Sequence, residues 1–431
     1  MSLAMRLQLM GPGLIASGLA VLVWVGPLRL SAYRNGAITD IPTYHAAADR
    51  IADGLVPYRD FDLEYPPLAA AVFALPRILP GDYDVAFSAL MLVALVATVI
   101  ATVFSARVLG LTPVRQLAAG CAVALSPLAL GLLMETRYDL VLAAVLAWLV
   151  VAALTERWRA AWILLALGVL LKLVPLLLIP LLVVYQLHRQ DMRSLRQGAA
   201  TGLAVVVAAL VPVLIAAPAG FWESLRYHLD RPLQIESTAA AYLLSLHALA
   251  DVPLRVQSSF GSQGLIGDGP RALAAISAVI AIIGIFVIAI ALRAALRRSH
   301  PALEGRLFVA AVAATLAVML ASGKVLSPQF VIWLLPVGFI VSGKYGWATF
   351  ATTAAAIIAT GAYFPRMYWD LVALDDLPIA LLVLRDALLV GLVAAAWPRA
   401  SIGRPPGSVE LPLPPSSPHS ARSTSARYLS D

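Results

Sequence analysis

Long apolar runs recur through this chain at about 11–29, 85–105, 116–134, 140–154, 198–217, 271–292, 307–321, 330–342, 347–364 and 377–396. The hydrocarbon core of a bilayer takes about 20 residues of apolar helix per crossing. No water reaches that depth, so each crossing must close its own backbone hydrogen bonds as a helix. With 61% hydrophobic and 13% charged residues, the chain also falls well short of the ~25% charge of ordinary soluble domains. The expected fold class is all-α, a polytopic transmembrane helical bundle.

One longer apolar segment, 160–187, is broken at Lys172-Leu-Val-Pro175. A single span does not need that length, and two half-spans meeting at the break fit better, because broken helices are tolerated only where they line a cavity. The total is then 10–12 spans or half-spans. The first, Gly11–Leu30, is too long for a signal-peptide core and lacks a small-residue cleavage site, so it reads as an uncleaved span. With the N-terminus inside, the inner loops carry fourteen basic residues from Arg6 to Arg399 against Glu156, Asp191 and Glu304. Most acidic residues fall on the outer side. This is the positive-inside pattern, so the net charge of +7 reads as orientation toward anionic lipid rather than as a nucleic-acid footprint. Both termini are expected in the cytoplasm. The membrane-embedded domain spans 1–396, with sizeable outer loops at 30–84 and 218–270, and 397–431, rich in Pro and Ser, reads as a disordered cytoplasmic tail. Cys121 is the single cysteine, which leaves no disulfide framework and no multi-cysteine metal site.

Chemistry concentrates in the outer loops and at the break. In the first loop, Asp40 followed by Pro42 and Thr43 signals a helix start, predicting a short helix over Tyr44–Leu55 with Ala48, Ile51, Ala52 and Leu55 on one face. Asp40 is either the cap of that helix or a general base at the mouth of a membrane cavity. Asp60, Asp62 and Glu64 form an alternating acidic row that suits a divalent ion or simply a solvated loop, and Tyr65 follows it. Lys172 is one of three lysines in a chain with twenty-eight arginines. A charge buried among apolar residues pairs with a partner or lines a pathway, or else it snorkels to the interface. Lys324 lies between two runs, with Gln329 in the first turn of the next. The second loop places His228, Arg231, Gln234 and Glu236 within nine residues. Arg231 suits a phosphate fork, and Gln234 and Glu236 suit sugar hydroxyls. The stretch Ala239–Ala250 is too short to span and belongs at the interface. No Walker loop, GxGxxG, HExxH or GxSxG occurs, so soluble nucleotide chemistry has no home here.

Taken in order, Asp40, Pro57-Tyr58-Arg59-Asp60-Phe61, Glu64-Tyr65-Pro66-Pro67-Leu68, Arg137-Tyr138-Asp139, Lys172-Leu-Val-Pro175, Arg231-Pro-Leu-Gln-Ile-Glu236-Ser237 and Ser327-Pro328-Gln329 resemble the bacterial GT-C membrane glycosyltransferases. These use polyprenyl-phosphate sugars, and the nearest resemblance is to the alpha-mannosyltransferase group acting on cell-envelope glycolipids. The similarity runs over about 11–396. It implies transfer of a sugar, mannose by that resemblance, from a polyprenyl-phosphate donor to a lipid-linked or glycan acceptor at the outer face of the bacterial plasma membrane. An Asp of the first outer loop, here Asp40, would act as base, with Lys172, Arg231, His228, Gln234, Glu236, Tyr65, Glu64, Asp139, Lys324 and Gln329 around the substrates. No cofactor is implied. A divalent metal is possible but not indicated. An arabinofuranosyltransferase of the same fold, a lipid or sugar flippase and a noncatalytic partner of an envelope-synthesis complex stand as alternatives.

Overall fold

A computed structural model describes residues 3–30 and 38–399. The start of the first loop, 31–37, and the expected tail from 400 onward lie outside the described residues. The bundle is built from the helices Leu3–Val25, Tyr83–Val108, Pro113–Leu130, Asp139–Leu154, Trp158–Leu171, Ile179–Arg189, Met192–Ala216, Asp268–Leu296, Pro301–Ser322, Gly346–Tyr363 and Asp376–Ala395, with a 3₁₀ segment at Pro328–Leu334. Seven of the described helices are long and apolar enough to cross a membrane on their own, and the chain is a multi-pass membrane protein.

Several starts were written locally. Asp82, Thr112 and Asp191 each sit before a run and accept the backbone N–H three residues on, from Val85, Arg115 and Ser194, which satisfies one of the orphan donors every helix start leaves. The helices alternate in direction and so define two ends. At one end arginines tie the turns together. Arg189 pairs with Glu156 and Glu304, Arg306 donates to the Leu109 carbonyl, and Arg115 donates to the carbonyls of Val341 and Gly346. The opposite end carries the two large loops.

The break at Lys172 is real. The helix Trp158–Leu171 stops there, Lys172 is extended (φ −162°, ψ 138°), and a 3₁₀ turn at Val174–Leu178 restarts the chain into Ile179–Arg189. A second interruption is the seven-residue 3₁₀ segment Pro328–Leu334, which overlaps the start of the run expected at 330–342. Seven 3₁₀ residues advance about 14 Å where an α-helix advances about 10 Å, so a short buried stretch reaches farther.

In the first loop the helix runs Ile41–Ala52, and its buried residues are Ile41, Tyr44, Ala47 and Ala48. The helix starts three residues earlier than expected and ends at Ala52, so Leu55 lies beyond it; Ala48 faces inward as expected and Ile51 is half-buried, while Ala52 and Leu55 are exposed. A second helix, Pro67–Arg77, packs against it. The second loop holds the helices Pro218–Asp230 and Thr238–Ala250 and an unexpected antiparallel sheet, in which Ser262–Leu265 lies between Leu233–Gln234 and Val256–Ser259. Its tight turn puts Phe260 and Gly261 both at positive φ, 52° and 64°, the backbone of a two-residue hairpin that Asn-Gly or Asp-Gly usually signals. Phe-Gly hid it. Gly220 is required where it stands: a Cβ there would collide with the Tyr58 carbonyl oxygen, the closeness that seats one loop on the other.

Candidate active site

Between the two loops and the interrupted helices lies a cavity of about 620 Å³. Asp40, Glu64, Tyr65, Lys172, His228, Arg231, Gln234, Glu236, Lys324 and Gln329 all line it. Residues up to 289 positions apart in sequence, Asp40 and Gln329, thus share one wall system. Asp139 does not line it and sits behind Lys172.

Asp40 occupies the N-cap position of its helix, yet its side chain makes no capping bond. Thr39 Oγ1 accepts from the Ile41 N–H instead. The Asp40 carboxylate is thereby free to face the cavity, where it pairs with Arg137 and accepts from the Tyr44 hydroxyl at 3.2 Å. Arg137 also donates to the Ile38 carbonyl, which anchors the start of the loop. Burial lowers the Arg137 pKa to about 10, still far above neutrality, so the guanidinium stays charged and keeps a counter-ion at Asp40.

Lys172 has an internal partner. Its Nζ lies 2.7 Å from Asp139 Oδ1, which also accepts from Trp333 Nε1 at 2.8 Å. The rings of Phe330, Tyr138 and Trp333 surround the ammonium at 4.7, 5.0 and 5.0 Å, an aromatic cage suited to a desolvated cation. Asp139 is 1% exposed. It orients the lysine and is itself out of a ligand's reach.

Across the cavity, His228 Nε2 lies 2.7 Å from the Glu64 carbonyl. A carbonyl only accepts, so Nε2 carries the proton, and burial pushes the His228 pKa down, keeping the ring neutral at neutral pH. Arg231 donates to Ser262 of the sheet while its Nε is buried and unbonded. Lys324 spends its ammonium on the carbonyls of Leu229 and Arg231, stapling that segment, and burial lowers its pKa. Gln234 and Glu236 form a neighbouring polar patch. Gln234 Nε2 donates to Glu236 Oε2 at 2.8 Å, and the Tyr363 hydroxyl donates to Oε1 at 3.2 Å. Burial raises the Glu236 pKa to about 7.

The acidic row divides. Asp60 closes an exposed turn with Arg59 and the Val56 N–H, and only Glu64 reaches the cavity. Among the described residues no group of three or more His, Cys, Asp or Glu is placed to hold a metal ion. Sequence reasoning quoted Arg137 and Tyr138 as part of a motif without giving them a role, and it passed over Trp333, Tyr363, Gln263 and Trp369. Arg137 was visible as a charge between two apolar runs. Trp333 and Tyr363 looked like ordinary core aromatics, and only their side-chain donors, aimed at Asp139 and Glu236, mark them out.

The family model described as Glycosyltransferase family 87 matches residues 63–323, more than half of the chain and less than the expected 11–396. Asp40 falls before that segment, and Lys324 and Gln329 just after it. No curated protein sequence matches this chain. Among solved structures, ArnT from Cupriavidus metallidurans bound to undecaprenyl phosphate is 15% identical with a TM-score of 0.48, covering 90% of this chain and 77% of that one. The same protein in the apo state is 14% identical with a TM-score of 0.39, covering 89% and 76%.

Proposed function

The chain belongs to glycosyltransferase family 87, and from that premise we propose that the cavity transfers a sugar, mannose, from a polyprenyl-phosphate carrier to a hydroxyl of a cell-envelope glycolipid or glycan. The observation that carries the reading is that one cavity holds both kinds of group the chemistry needs. A carboxylate released from capping, Asp40, lines it, together with the cations Lys172 and Arg231.

The chemistry is a single inverting displacement. The acceptor oxygen forms a bond to the anomeric carbon, the bond from that carbon to the phosphate oxygen breaks, and its electron pair leaves with the phosphate. Asp40 takes the acceptor proton. Arg137 holds the Asp40 carboxylate in place through their ion pair. Lys172 and Arg231 stabilise the departing phosphate by fixed positive charge, with no metal required. Gln234 and Glu236 hold hydroxyls of the donor sugar, and His228, neutral, completes the wall. The polyprenyl chain enters between helices and its binding positions the anomeric carbon. The arginine-rich end faces the cytoplasm by the positive-inside rule, with both ends of the membrane domain there, which puts the cavity at the outer face of the bacterial plasma membrane.

The test is purified protein in detergent with radiolabelled polyprenyl-phosphate mannose, the arabinofuranose analogue in a parallel arm, and a membrane-lipid extract. Label from mannose in a new glycolipid, undiminished by EDTA, supports the reading. Transfer of arabinofuranose alone overturns mannose, and label that only crosses vesicles unchanged overturns the reaction.

A further inference from the structure

One buried charge pair takes no part in that scheme. Arg385 and Asp386 lie inside the apolar helix Asp376–Ala395, 0% and 2% exposed, with Arg385 Nε 2.6 Å from Asp386 Oδ1. Charges at such depth are costly to desolvate and are kept where they serve a pathway or a partner. The pair is not self-contained. Arg385 Nη2 donates to the backbone carbonyl of Glu236 at 2.5 Å, and its guanidinium lies 5.7 Å from the centre of the Tyr363 ring, whose hydroxyl donates to the Glu236 carboxylate. Asp386 faces Thr238, the first residue of the following helix. The segment 234–238, which brings Gln234 and Glu236 to the cavity wall, is therefore gripped at its backbone and at its side chain from the helices Asp376–Ala395 and Gly346–Tyr363.

We propose that Arg385, with Asp386 as its counter-ion, is a positioning residue that fixes Glu236 against the donor sugar. The inference rests on reading the cavity as the donor site, and it assigns the C-terminal spans, which the family match does not reach, a part in reading the sugar. Lys172 and Arg231 hold the carrier phosphate through other contacts. Loss of the clamp should then weaken recognition of the sugar and leave recognition of the bare carrier alone.

The experiment compares full-length protein with the double variant Arg385→Met/Asp386→Leu, in which removing both charges together avoids an unpaired buried ion, and with Arg385→Lys, which keeps the charge but loses the fork. Three quantities are read: KM for the polyprenyl-phosphate sugar, affinity for polyprenyl phosphate without sugar, and amide hydrogen exchange over Glu236–Ala241. In the double variant KM should rise about tenfold, the scale of one misplaced hydrogen bond, with carrier affinity within about twofold and exchange in that segment faster by about tenfold or more. Arg385→Lys should fall between, and it carries the comparison if the double variant does not fold. Unchanged exchange overturns the clamp, and carrier affinity lost in step with transfer reduces it to a structural contact. If the wild type moves no sugar from any polyprenyl phosphate, the functional reading fails, while the exchange comparison still decides whether Arg385 holds the segment.

Discussion

Two kinds of helix meet in this bundle. Met192–Ala216 and Asp268–Leu296 run uninterrupted for 25 and 29 residues, and only 6% and 22% of their most apolar stretches are buried in the protein. Trp158–Leu171, Val174–Leu178 and Pro328–Leu334 are short and broken, yet they carry Lys172 and Trp333 to the cavity. A long lipid-facing helix satisfies its own backbone and needs little from its neighbours. An interrupted one frees backbone and side chains at a defined depth, and neighbouring elements must satisfy them. Length builds the crossing, and interruption builds the site.

The sharpest way to break this contrast is at the cavity. Asp40→Asn keeps shape and removes the proton acceptor, so kcat should fall by about 10²- to 10⁴-fold, the usual worth of a general base, with carrier binding little changed. Near-normal turnover in a radiolabel assay would remove Asp40 from the mechanism. Next in size is Lys172→Met. A charge-assisted hydrogen bond is worth about 1.5–3 kcal/mol, so affinity for polyprenyl phosphate should drop about 10- to 100-fold. The single change also strands Asp139 as an unpaired buried carboxylate, and thermal stability should fall with it. Lys172→Met/Asp139→Asn should recover stability but not affinity, and recovery of both would make the lysine a structural ion.

A smaller effect is set by pH. The Glu236 pKa is raised by burial to about 7, above its unfolded value near 4.3, so the folded protein holds that proton more tightly. The stabilising contribution is complete below about pH 4 and is lost as pH rises through 7. Above 7 the cavity that takes the anionic donor also gains a negative charge at Glu236. KM for the donor should therefore rise severalfold between about pH 6 and pH 8, and Glu236→Gln should flatten that limb. A KM independent of pH in the wild type would show that Glu236 does not titrate beside the donor.

The bundle was legible because apolar length and charge sidedness act locally along the chain. The runs, the Lys172 break and the short helix after Asp40 can each be read within some 25 residues. The cavity was legible in its members but not in their partners. Lys172 stood out as a charge among apolar residues, whereas nothing near it named Asp139 as counter-ion, because the pair joins two helices 33 positions apart. The sheet stayed hidden because its strands are two to four residues long and its hairpin turns on Phe260. Arg385 and Asp386 were open to view as charges inside a span, and the same rule that picked out Lys172 picks them out too.

The smallest effects on turnover belong to the uninterrupted helices, and two neighbours on Met192–Ala216 separate packing from chemistry. Gly202 is buried where a Cβ would come within 2.8 Å of the Trp162 carbonyl oxygen. Leu203, one residue on, is 63% exposed on the lipid side. Gly202→Val forces the helix away from Trp158–Leu171 and should destabilise by about 1–3 kcal/mol, the range for overpacking. Leu203→Ala changes only which apolar surface meets lipid, so its effect should stay within about 0.5 kcal/mol. Both should leave kcat per folded molecule unchanged, because neither residue reaches the cavity. Thermal unfolding in detergent and turnover normalised to folded protein check the pair. A drop in kcat for Gly202→Val at full folding would mean that the position of the helix ending at Leu171 is transmitted to Lys172, and the division between crossing helices and chemical helices would have to be redrawn there.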